Sequence, residues 1–144
     1  MDAITSPYLI AIVLAWVVAQ GLKYLFAVVR TRNVASFRQL YLSGNMPSAH
    51  SAGVVALATV VGLRDGFGSA LFGIVFLFAA VVMYDAVMVR RSSGEQGIAI
   101  QELIKISKVK VVLPRAAKGH TPAEVLVGIV LGIIIGSVVF FATK

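Results

Sequence analysis

Four stretches of this chain are too long and too apolar to be hidden inside a small water-soluble fold. The first runs from Tyr8 to Val29, broken only by Gln20 and Lys23 and closed by Arg30 and Arg32. The others run from about 48 to 63, 67 to 89 and 122 to 142. A helix needs about 20 apolar residues to cross the hydrocarbon of a bilayer. Four such runs in a chain of 144 residues leave almost nothing for an aqueous domain. Composition agrees, since only 13% of residues are charged where soluble proteins carry about 25%. The expected fold is therefore all-α: a single integral membrane domain over 1–144, a polytopic bundle of about four transmembrane helices (8–29, 48–63, 67–89 and 122–142) with short interfacial helices. The second run is short for a full span, which implies a tilted or partly sunken helix.

The first run has no basic residue ahead of it and carries Lys23 within it, so it reads as a membrane helix rather than a signal peptide. The connection 31–47 is polar and basic, with Phe37, Leu40, Tyr41 and Leu42 pointing to a short interfacial segment. Arg64-Asp65-Gly66 reads as a tight turn, and Arg90-Arg91 as the stop of the third helix. Between 92 and 119, isoleucines and leucines interleave with Gln101, Glu102, Lys105 and Lys108 as in an amphipathic surface helix, with a short strand as the alternative for 109–113.

The net charge of +7 and pI near 10.2 would suit a nucleic-acid binder. In so apolar a chain, however, basic residues mark cytoplasmic loops and anionic lipid contacts. Arg30, Arg32 and Arg38 flank the first connection, and the third holds Arg90, Arg91, Lys105, Lys108, Lys110, Arg115 and Lys118. The second connection has Arg64 alone. Both basic connections thus belong on the cytoplasmic side of the cell (inner) membrane, with both termini outside. With no cysteine in the chain, disulfides and thiolate chemistry are excluded.

Ionisable groups at membrane depth are costly and default to function. Lys23 and Arg30, seven residues apart, project from one helix face. His50 opens the second helix, Asp85, Arg90 and Arg91 close the third, and His120 and Glu124 open the fourth, one turn apart. The expected topology brings all of these to one membrane face. Two helix N-termini add oriented N–H groups and positive dipole ends. Such an inventory suits an oxyanion, above all phosphate. A carboxylate one turn from His120 favours that histidine as the more basic of the two, although the residues alone leave the nucleophile open. Gly128, Gly132 and Gly136 recur every four residues on the last helix, a spacing that permits close helix approach either within the bundle or in a homodimer.

The stretches Pro47-Ser48-Ala49-His50 and Gly119-His120-Thr121-Pro122-Ala123-Glu124-Val125 resemble the type-2 phosphatidic acid phosphatase superfamily, which includes acid phosphatases and vanadium haloperoxidases. Met83-Tyr84-Asp85-Ala86 followed by Val89-Arg90-Arg91 resembles its small divergent branch more closely. The superfamily pattern Lys-x6-Arg-Pro is matched by Lys23 and Arg30, with Thr31 in place of proline. Pro-Ser-Gly-His is matched with Ala49 in place of glycine, and the final His-x3-Asp is matched by His120 and Glu124. The arginine of the third part falls on Arg90, Arg91 or Arg115.

The resemblance implies a phosphatase that uses no metal or other cofactor and acts on an anionic lipid phosphate of the phosphatidate or isoprenoid type. His120 would form a phosphohistidine, Glu124 would orient it, and His50 would act as acid and base. Lys23, Arg30, Ser48 and the third-part arginine would hold the phosphoryl oxygens, with Asp85 in support. Ala49 and Glu124 depart from the pattern and are expected to disturb the phosphate approach and the histidine–carboxylate distance. The rival readings are a lipid-phosphate binder or transporter with the same pocket, and a structural partner using the glycine face.

Overall fold

The computed structural model describes residues 6–32, 46–107, 109, 111–113, 116 and 119–144. The helices are α1 (Pro7–Thr31), α2 (Ala49–Asp65), α3 (Ala70–Tyr84), α4 (Arg90–Ser107) and α5 (Pro122–Ala142), with one π-helical turn, Asp85–Val89, joining α3 to α4 without a break. No strand occurs among the described residues, so 109 and 111–113 take neither ladder nor bridge.

Small residues occupy the interior. Ala11, Ala15 and Ala19 form a fully buried row at one-turn spacing on α1, against Ala52, Ala56 and Val60 of α2. Large apolar side chains point outward instead, among them Trp16, Phe26, Phe76, Phe78 and Phe141. This inside-out arrangement follows from the solvent: hydrocarbon gives no reason to hide a phenylalanine, so helices associate through close backbone approach over small residues. α2 is the central element and packs on α1, α3 and α5. Tyr8 donates from its hydroxyl to Asp65 Oδ2 at 2.7 Å, tying the start of α1 to the end of α2.

Among the described residues three helices are long and apolar enough to cross a membrane: Pro7–Arg30, Ala70–Ser107 and Pro122–Ala142. α2 has 17 residues, about 25 Å of helix against a hydrocarbon core of about 30 Å. Protein rather than lipid surrounds much of it, which explains its serine, threonine and glycine content. The bundle of about four spans is therefore three long helices and one short, sheathed one.

Two boundary expectations need correction. Arg90-Arg91 does not end the third helix, which continues to Ser107. A cationic pair halts translocation, but arginine, glutamate, glutamine and isoleucine remain adequate helix formers, so the backbone has no reason to break. Nor is Arg64-Asp65-Gly66 the turn: α2 runs through Asp65, and the chain reverses at 66–69, with Gly66 at φ +93° and Ser69 capping α3 through Phe72 N–H. The interfacial segment expected in 31–47 lies, over 33–45, outside the described residues.

The glycine face of α5 is taken up inside the bundle. A Cβ on Gly128, Gly132 or Gly136 would come within 3 Å of Ser48 O, Ala52 O or Ala56 O, all on α2 or its cap. A homodimer through this same face would have to displace α2.

Candidate functional site

The C-terminal part of α1, the N-termini of α2 and α5, and the π-helical turn all lie at one end of the bundle. Three backbone contacts assemble this end. Ser48 N–H donates to the Glu124 carbonyl at 3.2 Å, linking the start of α2 to the first turn of α5. His120 N–H donates to the Ala86 carbonyl at 3.0 Å, linking the approach to α5 to the π turn. A Cβ on Gly119 would clash with the Arg91 backbone, so only glycine allows the strand of chain before His120 to lie against that helix. The π turn matters because its hydrogen bonds run five residues, Arg90 N–H to Asp85 O. The Ala86 carbonyl is thereby available to the incoming histidine, and such turns recur at functional sites.

His120 is 5% exposed. Its Nδ1 lies 2.9 Å from Glu124 Oε2, and the same oxygen accepts the Thr121 N–H at 3.2 Å. Thr121 Oγ1 in return accepts the Glu124 N–H at 3.3 Å, completing a capping box. One carboxylate thus closes the helix end and fixes the imidazole. A carboxylate beside Nδ1 sets the tautomer with the proton on Nδ1 and the lone pair on Nε2. The longer arm of glutamate folds back onto its own helix cap, and its oxygen still lies at hydrogen-bond distance from His120 Nδ1.

His50, second residue of α2, is exposed and has no hydrogen-bond partner among the described residues. The charges of Arg90, His120, Lys23 and Asp85 all reach it. Lys23 is buried, 6% exposed, and interacts with the Glu124 charge. Gln20 lies one turn before it, and its Oε1 is buried without a hydrogen-bond partner.

The remaining candidates divide. Arg90 pairs with Asp85, both partly exposed, and among the described arginines its charge is the one that reaches His50. Arg91 turns away to Glu95 at 3.1 Å on the outer face of α4. Arg30 sits exposed in the last turn of α1, about 10 Å beyond Lys23 along the axis, and makes no ion pair with the described acidic residues. Ser48 is fully buried, and its hydroxyl oxygen caps α2 by accepting from Ser51 N–H. Ala49 packs into the alanine core. Arg115 lies outside the described residues.

Sequence reading did not single out Gln20, Gly119 or the Ala86 carbonyl. Thr121-x-x-Glu124 directly after Gly119-His120 was a legible capping signal. A backbone carbonyl freed by a π turn leaves no mark on residue types.

A protein of Bacillus subtilis (strain 168) described as the uncharacterized membrane protein YuiD is 33% identical to this chain over 151 aligned positions, covering 94% of each. No solved structure matches the chain. The family model described as the Divergent PAP2 family matches residues 4–135; this integral membrane protein belongs to that family.

Proposed function

We propose that the protein is a lipid-phosphate phosphatase whose site opens at the cytoplasmic face of the cell membrane. One observation carries the reading: a buried His120 locked to Glu124 at 2.9 Å, within range of a second histidine and a buried lysine. A purely structural ion pair has no need of an exposed histidine, unpartnered among the described residues, and a buried cation beside it.

His120 Nε2 attacks phosphorus in line, and the bond to the ester oxygen breaks as the bond to nitrogen forms. His50 gives its proton to the departing oxygen, then takes one from the water that attacks the phosphohistidine. That second step releases inorganic phosphate and restores both imidazoles. Glu124 stabilises the positive charge that grows on His120, while Lys23 and Arg90 balance the charge spread over the phosphoryl oxygens. Asp85 holds Arg90. Ser48 acts through position, as the cap that starts α2 beside α5.

The basic connections favour the cytoplasmic side. Purified protein in phosphatidylcholine bilayers is given phosphatidate, a prenyl phosphate and a prenyl diphosphate, each in excess chelator, and free phosphate is measured. Release from at least one of them, lost in His120→Ala, is expected. A folded protein that releases phosphate from none, yet still binds them, would make this a carrier or binder instead.

A further inference from the structure

Between α1, α2 and α3 the structure holds an apolar groove of about 320 Å³ that His50 helps to line. Its lining from α2 is Ala49, His50, Gly53, Val54 and Leu57, which share one broad helical face. From His50 to Leu57 this stripe spans about 10 Å. Trp16 of α1 and Phe78 of α3, both half-exposed, border the groove on its two flanks. Gly53 leaves the floor open, for a Cβ there would meet nothing nearer than Ile12 at 3.9 Å. His50 is the sole ionisable residue of the lining, and it also belongs to the charged cluster around His120 and Lys23.

A groove whose walls are aliphatic and aromatic, and whose ionisable lining residue is an acid–base group near cations, is matched by a molecule with one hydrocarbon chain and an anionic head. We infer that this groove seats a single hydrocarbon chain of the lipid phosphate, so that the first carbons of the chain lie against Gly53 and the ester oxygen meets His50. The inference rests on the phosphatase reading for the identity of the head. Its volume lies at the low end for ligand sites, about 300–1,000 Å³, which suits one chain and leaves no room for a second. Substrates with one linear chain, alkyl or prenyl, are therefore preferred over diacyl lipids. Val54 and Leu57 set the depth to which the chain descends.

Trp16 is the only tryptophan of the chain, so its fluorescence reports the groove directly. The full protein in phosphatidylcholine bilayers is titrated with a brominated single-chain phosphate monoester, and in parallel with the same chain carrying phosphocholine. Quenching by the monoester is expected to saturate at a mole fraction at least tenfold lower. Val54→Phe should raise that mole fraction about tenfold. Leu57→Ala should shift the preferred chain to a longer one, a gain that misfolding cannot imitate. Alkyl, prenyl and two-chain phosphates separate the sources, with the two-chain lipid expected to bind weakest. Equal quenching by the two heads, or no response of chain preference to either variant, would overturn the groove. Saturable quenching without phosphate release would leave the groove standing and remove the phosphatase reading. Release with unchanged chain preference in both variants would do the reverse.

Discussion

Two helices begin at the same end of this bundle, each with a histidine in or just before its first turn, and they are built to opposite specifications. At the start of α5, His120 is buried, its Nδ1 is bound to Glu124, and its own backbone N–H is held by Ala86. At the start of α2, His50 is exposed, unpartnered among the described residues, and borders the apolar groove. The difference matches the two chemical tasks of the proposed reaction. A nucleophile must present one fixed lone pair to phosphorus, and a small misplacement costs about a hundredfold in rate. A group that first gives and then takes a proton needs access to both a leaving oxygen and water. On the proposed reaction, the contrast distinguishes two side chains of the same residue type.

The strongest way to break this contrast is to remove the fixed imidazole. His120→Ala is expected to lower phosphate release by about 10⁴-fold or more, as loss of a nucleophile does; rapid-quench trapping should also show no phosphoenzyme. A phosphoenzyme that persists in His120→Ala would exchange the two roles. His50→Ala should cost about 10²–10⁴-fold on an alkyl phosphate, the usual range for one acid–base group. On a nitrophenyl phosphate, whose leaving oxygen needs no proton, the loss should shrink markedly. A loss of equal size on both substrates would show that His50 does not protonate the leaving group.

A finer test is Glu124→Gln, which keeps an acceptor for Thr121 N–H and for His120 Nδ1 but removes the charge. Mutation of such an orienting partner costs about 10–100-fold, and the expected deficit lies toward the upper end. Thermal unfolding should move little, because the capping box survives. Glu124→Ala keeps the Thr121 hydroxyl on the backbone N–H of residue 124 but leaves Thr121 N–H without its carboxylate acceptor, so its stability should drop by about 1 kcal/mol. If the glutamine variant unfolded as early as the alanine one while retaining full turnover, Glu124 would be a helix cap and nothing more.

The helical membrane fold was legible because the bilayer dictates it: long apolar runs have few other destinations. His120 and Glu124 were legible because they stand four residues apart where the last apolar run begins, although His120 precedes α5 and the capping box at Thr121, rather than helical spacing, brings the two together. What escaped was set by contacts far apart in the chain. The sequence of α3 gives no sign that its helix passes through Arg90-Arg91, since the charges that signal a membrane boundary are compatible with continued helix. The groove escaped for a related reason. His50, Gly53, Val54 and Leu57 form a legible stripe, but whether another helix fills it depends on where α1 and α3 stop leaning inward. Ser48 and Ala49 stand in a motif associated with phosphate, and only packing showed that one caps a helix and the other fills the core.

The smallest predicted effect separates two neighbouring arginines. Arg90 is held by Asp85 and its charge reaches His50, whereas Arg91 pairs with Glu95 on the outside of α4. A fully enclosed donor to a transition-state oxyanion is worth about 10²–10³-fold. Arg90 is half-exposed, with a side-chain exposure of 49%, so solvent screening reduces its share, and Arg90→Ala should cost only about tenfold. The exposed Arg91–Glu95 pair contributes at most about 0.5 kcal/mol to stability, and Arg91→Ala should change turnover by less than about twofold. Rates measured side by side at low and high salt sharpen the comparison, because the contribution of Arg90 should fall as salt rises. Equal deficits in the two variants would mean that the helix end acts as a diffuse positive field, and that neither guanidinium has a specific place at the phosphate.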